Sequence, residues 1–123
     1  MEWTITINEE SRHVEIITSG IADKGGSLDM AKAIALALSK YKFKKILIDH
    51  RNICSVSGNT VDVYSRPKHF QEIGVIHGIK VAEVIKPEHK EFFRFLETVC
   101  VNRGYEFSMF NDKKPALEWL LNT

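Results

Sequence analysis

Asp49 and His50 stand side by side after the apolar run Ile46-Leu47-Ile48, where a carboxylate and an imidazole could move a proton or hold a ligand. The same Asp suits a plainer task, capping the following loop by accepting from backbone N–H groups. Ser55-Val56-Ser57-Gly58 comes next. A nucleophile elbow needs Gly-x-Ser-x-Gly, and neither serine has the first glycine, so two helix-capping serines are expected. No Ser-His-Asp order can be assigned from spacing. Gly25-Gly26-Ser27 could hold an anion on free N–H groups, but the dinucleotide and P-loop glycine patterns are both missing. A hinge or a helix cap is expected there instead. His13, His50, His69, His77 and His89 show no HxH or HExxH spacing, and Cys54 and Cys100 have no second Cys nearby. No metal site, redox pair or cofactor is therefore expected. Each cysteine is expected to be a small buried hydrophobe with its thiol reduced. Phe70, Phe92, Phe93, Phe95 and Leu96 read first as core, with an apolar ligand site as the alternative. Asp49, Phe70, Phe92 and Phe95 are thus the candidate ligand-binding residues. No catalytic set is complete, so the chain reads as a non-enzyme.

Charge narrows the choice of partners. Seventeen Lys and Arg against 16 Asp and Glu leave a net +1, with no field to draw phosphates. A nucleic-acid partner is therefore not expected. Lys40, Lys42, Lys44 and Lys45 alternate with Tyr41 and Phe43 and read as a solvated helix-to-strand corner. No apolar run approaches the roughly 20 residues that span a bilayer. Met1 to Thr6 carry no secretory pattern, so a cytoplasmic location is expected.

Period-2 alternation in Trp3–Ile7 and a strand pattern in His13–Thr18, separated by the polar Asn8-Glu9-Glu10-Ser11, predict an antiparallel hairpin. Ser27 is the expected N-cap of a helix to about Tyr41, with Leu28, Ala31, Ile34, Ala35 and Leu38 inward. Ile46–Asp49 reads as a strand buried on both faces, followed by a polar loop from His50 to Asn59. A helical segment over 60–73 is kinked by Pro67, and a strand is expected over Ile79–Ile85. Pro87 opens a helix to Arg103 that Gly104 stops. Tyr105–Phe110 reads as a strand, and Asp112 caps a last helix with Ala116, Leu117, Leu120 and Leu121 inward. The order is β-β-α-β-α-β-α-β-α. The expected architecture is a single α/β domain over 1–123, a mostly parallel sheet with helices packed on it.

With these elements in place, the chain resembles the bacterial SpoIIAA-like family, the STAS/SEC14-like domains related to anti-sigma-factor antagonists. The matching pieces are Ile46-Leu47-Ile48-Asp49, Lys80-Val81-Ala82-Glu83-Val84, and Phe92-Arg94-Phe95-Leu96-Glu97 leading to Asn102-Arg103-Gly104. Phe110-Asn111-Asp112 with Ala116-Leu117-Trp119-Leu120 completes the likeness. The resemblance implies a four- or five-stranded sheet covered by helices, no intrinsic catalysis, and protein or small-ligand binding. In the antagonists a phosphorylatable Ser opens the helix after the central strand within an Asp-Ser-Ser-Gly-like motif. Only Ser57-Gly58 matches it here, with Ser55 and Val56 before, so Ser57 is expected to act mainly as a cap, with a regulatory phosphosite as the alternative. The expected partner is a protein or a second copy of the chain, the homodimer meeting through 60–77 with Tyr64, Phe70 and Ile76. The alternative is a carrier or sensor of an apolar small molecule or lipid, held between the sheet and the Phe-rich helix.

Overall fold

The computed structural model describes residues 1–56, 78–102 and 106–122, leaving aside the side chains at 24, 27, 28, 95, 96 and 99–102. Five strands form one sheet in sequential order: β1 (Glu2–Asn8), β2 (His13–Ala22), β3 (Lys45–Val56), β4 (Lys80–Val84) and β5 (Glu106–Phe110). The β1–β2 hairpin is antiparallel, and the other three pairings are parallel. Three described helices are α1 (Lys24–Tyr41), α2 (Lys90–Asn102) and α3 (Lys113–Leu121). The mostly parallel α/β architecture read from the sequence is therefore the one observed, and the expected 60–73 helix lies outside the described residues. No described helix is long and apolar enough to cross a membrane.

Alternation along the strands sorts the core into two layers. Val14 and Ile16 on β2, Ile46 and Ile48 on β3, and Val81 on β4 share one face and pack with Met30, Ile34 and Leu38 of α1 and Phe93 of α2. Leu47, Ala82 and Val84 occupy the opposite face under Ala116 and Leu120 of α3. Lys80 fastens the end of α3: its Nζ donates to Trp119 O at 2.7 Å and Asn122 O at 3.0 Å and lies 4.4 Å from the Trp119 ring centroid. A cation on the last carbonyls of a helix also favours the helix dipole.

Several boundaries differ from those read in the sequence. Helix α1 starts earlier, with Asp23 rather than Ser27 as N-cap; Asp23 Oδ1 accepts the Gly26 N–H at 2.7 Å. Only glycine permits this approach, since a Cβ at position 26 would sit 2.6 Å from that oxygen and 2.9 Å from Met1 Cβ. The Gly26 N–H therefore serves the cap and is not free for an anion. Pro87 opens a 3₁₀ turn over Pro87–His89, from which α2 continues. Asp112 stands at the N-cap of α3 but makes no side-chain cap bond.

Strand β3 brings the largest correction. It runs on through His50–Val56, where the polar letters predict loop. Asp49 thus lies inside the strand, opposite Val84, the last residue of β4. Beyond it β3 pairs with β2 alone, through two register shifts that give β3 an extra residue each time. Gly20, at φ +87, lies within this irregular stretch, in a conformation that favours glycine. Cys54 sits there too and is exposed, its Sγ 3.2 Å from Gly20 O, rather than buried as expected. The Cys100 side chain lies outside the described set.

The two layers make a direct prediction. Leu120→Ala, at a fully buried site, should destabilise by about 2–5 kcal/mol. Leu36→Ala, at a leucine 73% exposed on α1, should change stability by less than about 0.5 kcal/mol. Urea unfolding of both variants checks this, and equal midpoint shifts would contradict the layering.

Candidate functional site

The strand order β2-β3-β4 carries three polar side chains onto the same face as the larger apolar layer. Thr18, His50 and Glu83 are 0%, 4% and 4% exposed. Thr18 Oγ1 is 2.7 Å from His50 Nδ1, and His50 Nε2 is 3.3 Å from Glu83 Oε1. Phe93 of α2 stacks on the imidazole, with centroids 4.9 Å apart at 21°, and Phe92 meets Phe93 edge-on at 5.1 Å. One proton arrangement connects the whole line: the Thr18 hydroxyl donates to Nδ1, and Nε2–H donates to Glu83 Oε1. In a second arrangement the hydroxyl donates to Asp49 O at 3.2 Å and accepts from Nδ1–H. Glu83 Oε2 accepts no hydrogen bond among the described residues.

Hydroxyl, imidazole and carboxylate in line are the parts of a nucleophilic triad, yet here all three are buried. Thr18 is fully buried between strands, with its hydroxyl turned to His50 and the Asp49 carbonyl and away from solvent. What the line does is join β2, β3 and β4 by side-chain bonds inside an apolar layer, where unpaired polar atoms are costly.

Asp49 points to the other face. Its carboxylate takes a two-pronged bond from Arg51, Nε to Oδ1 at 3.0 Å and NH2 to Oδ2 at 2.8 Å, and Oδ1 also accepts the Arg51 backbone N–H at 3.0 Å. Burial pushes the carboxyl up, but the Arg51 hydrogen bonds and charge outweigh it and hold Asp49 below its ordinary range. The same pairing raises Arg51. Asp49 therefore does accept from a backbone N–H, as the capping role required, but within a strand and with its charge neutralised by a neighbour. A carboxylate so held is a weak base.

The sequence candidates are only partly brought together. Asp49 lies across the sheet from His50, while Phe92 borders the buried line through Phe93. Phe95 is on α2 with its side chain outside the described set; Ser57 and Phe70 fall outside the described residues, as do Tyr64 and Ile76. Thr18 and Glu83 do not stand out in the sequence. Their only signal is position: each is a polar residue on an otherwise apolar strand face, and the His50 that joins them reads as the start of a loop. His13, also buried, carries two ring nitrogens without hydrogen-bond partners among the described residues. Burial is the main influence lowering its pKa, only partly opposed by Glu15 at 3.8 Å. Among the described residues no three His, Cys, Asp or Glu side chains are grouped to hold a metal ion.

Outside the core, the end of the sheet where β3 outruns β4 presents apolar surface. Ile17 and Ile21 are 48% and 49% exposed. A surface groove of about 610 Å³ lies between Trp3, Thr4, Ile17, Ser19 and Asn52.

No family model matches this sequence, and no curated protein matches it either. Solved structures do. One is an uncharacterized protein of the DUF3478 family with a SpoIIAA-like fold from Shewanella loihica PV-4, 20% identical, with 97% of this chain and 92% of that one covered and a TM-score of 0.62. Another is the anti-sigma factor antagonist SpoIIAA in its unphosphorylated form, 13% identical, covering 99% and 100%, TM-score 0.59. A third is an anti-sigma factor antagonist from Mycobacterium paratuberculosis, 14% identical, covering 97% and 94%, TM-score 0.59. The chain has a SpoIIAA-like fold, as the sequence resemblance implied.

The buried line predicts a characteristic double-mutant result. His50→Leu alone strands a buried carboxylate and should cost about 3–5 kcal/mol. His50→Leu combined with Glu83→Met removes both partners and should recover most of that loss. Guanidinium unfolding of the two variants checks it; a double variant no more stable than the single one would show that the pair is not a unit.

Proposed function

We propose that this chain is a non-enzymatic binding module that acts by contact with a protein partner, using the sheet end around Ile17 and Ile21. The observation that carries the reading is how its polar and apolar groups are disposed there. Among the described residues, the acid, base and hydroxyl groups brought together there are engaged with one another: Thr18 with His50, His50 with Glu83, and Asp49 with Arg51. The accessible surface at the same end instead offers two half-exposed isoleucines beside a groove. Two of the similar structures are of anti-sigma factor antagonists, which supports a regulatory role through another protein.

A second reading rests on Glu83. A small amphipathic ligand with a hydroxyl or amine would supply the donor that Oε2 lacks among the described residues, under cover of Phe92 and Phe93. The apolar-carrier alternative takes this form.

Affinity capture from the source host with the wild-type chain and the Ile17→Lys/Ile21→Lys variant tests the main reading. One host protein should be retained in stoichiometric amount by the wild type and be reduced about tenfold or more by the variant, with melting unchanged. Equal retention by both chains, or none by either, contradicts it. In native mass spectrometry of the wild type, added mass of roughly a few hundred daltons would favour the carrier instead.

A further inference from the structure

Among the described residues, strand β1 leaves its outer side open. It pairs with β2 along its whole length, Glu2↔Ser19 through Asn8↔His13, and no described strand lies beyond it. Sheet edges in soluble proteins usually carry a lysine, a proline or a bulge that discourages a second strand. Glu2-Trp3-Thr4-Ile5-Thr6-Ile7-Asn8 has none of these: its pairing with β2 is unbroken, and its one charge is at the end. Trp3, Ile5 and Ile7 are half-buried against the α1 layer, while Thr4 and Thr6 are exposed on the opposite face.

The sequence of this edge is complementary to itself. A two-fold axis through Ile5 sets Ile5 against Ile5, Trp3 against Ile7, Thr4 against Thr6 and Glu2 against Asn8 of the second copy. Apolar side chains then meet apolar ones, Thr meets Thr, and no like charges oppose each other, all favourable cross-strand pairings. Every pair joins residues on the same face, so the pleats of the two strands match. Whichever alternate residues direct N–H and C=O outward, this register pairs them with their own equivalents. The strand at the other end of the described sheet, β5, is shorter at five residues.

We infer that β1 is a homodimer interface, where a second copy of this chain pairs antiparallel about Ile5 to continue the five-stranded sheet into one of ten strands. The inference rests on the reading that the domain works by protein contact. It differs from the expected 60–77 interface, which lies outside the described residues. A single-strand edge is a small contact, at the weak end of interface sizes, so association on the order of micromolar to tens of micromolar follows.

Sedimentation equilibrium of the full chain, with two variants of exposed residues that leave the core untouched, tests the register directly. Thr4→Lys/Thr6→Lys sets lysine against lysine twice across the axis. Thr4→Glu/Thr6→Lys sets glutamate against lysine twice, and the lysine introduced at position 6 also faces Glu15 of its own chain. The wild type should dimerise with rising concentration, the double-lysine variant should dissociate about tenfold more readily, and the glutamate–lysine variant should return to within about threefold of wild type. Circular dichroism melting checks that all three are folded. A wild type that stays monomeric to millimolar concentration overturns the inference, as does a double-lysine variant that dimerises like wild type, or a glutamate–lysine variant no better than double lysine. None of these outcomes touches the Ile17 and Ile21 capture result, so failure of the dimer and failure of the partner reading are separable.

Discussion

His50 bridges Thr18 and Glu83 across three parallel strands, inside a layer otherwise built of Val, Ile, Leu, Met and Phe. Water is excluded, so each polar atom there must find its partner within the protein or cost free energy. That demand reaches outward through the structure. A one-residue slip of β3 against either neighbour would turn His50 to the other face and leave Glu83 alone. The register of the central sheet and the polar line therefore specify each other. Phe93 lies flat on the imidazole and so fixes where α2 sits. The first of the two register shifts between β2 and β3 falls at this point, between Ile17 and Ser19 and opposite Asp49 to Asn52, just where the pairing with β4 ends.

The opposite face is held more loosely and by different means. Helix α3 covers β3 and β4 with Ala116 and Leu120 and is tied down at its ends, by Lys113 to Glu15 at 2.8 Å and by Lys80 to its last carbonyls. Toward β1 and β2 this face carries Thr4, Thr6, Glu15 and the half-exposed Ile17. The result is a sheet with one fully structural layer and one face that is open on its hairpin side. Surface available for contact thus lies away from the polar line, which separates what stabilises the fold from what another protein can touch.

Sequence pattern is enough for the architecture. Alternation in Trp3–Ile7, the run Ile46–Ile48 and the stripe Ala31, Ile34 and Leu38 each reflect a buried face, and burial is what hydrophobic periodicity reports. It fails where burial and polarity part company. His50, Arg51 and Asn52 carry loop-like letters, yet Asn52 pairs with Ser19 of β2, the Arg51 N–H bonds Asp49 Oδ1, and only His50 turns inward. Asp23 escapes notice as a cap because the glycines after it read as a break, although Gly26 is what lets the capping oxygen approach. The polar line itself has no sequence signature. Residues 18, 50 and 83 are far apart in the chain and become neighbours only through the parallel order of β2, β3 and β4. Asp49, legible as a functional carboxylate, proves to be bound by the arginine two residues on.

That the Thr18–His50–Glu83 line is a closed structural element, not a reactive one, is the claim on which the binding-module account stands. Long-range proton–nitrogen NMR of the His50 imidazole tests it most directly, because tautomer and solvent access are read from the same ring. A ring proton on one nitrogen, exchanging with solvent orders of magnitude more slowly than that of an exposed histidine, is the predicted result. An imidazole proton that exchanges as fast as in free solution would contradict the account, since it would mean that the hydroxyl, imidazole and carboxylate are open to substrate.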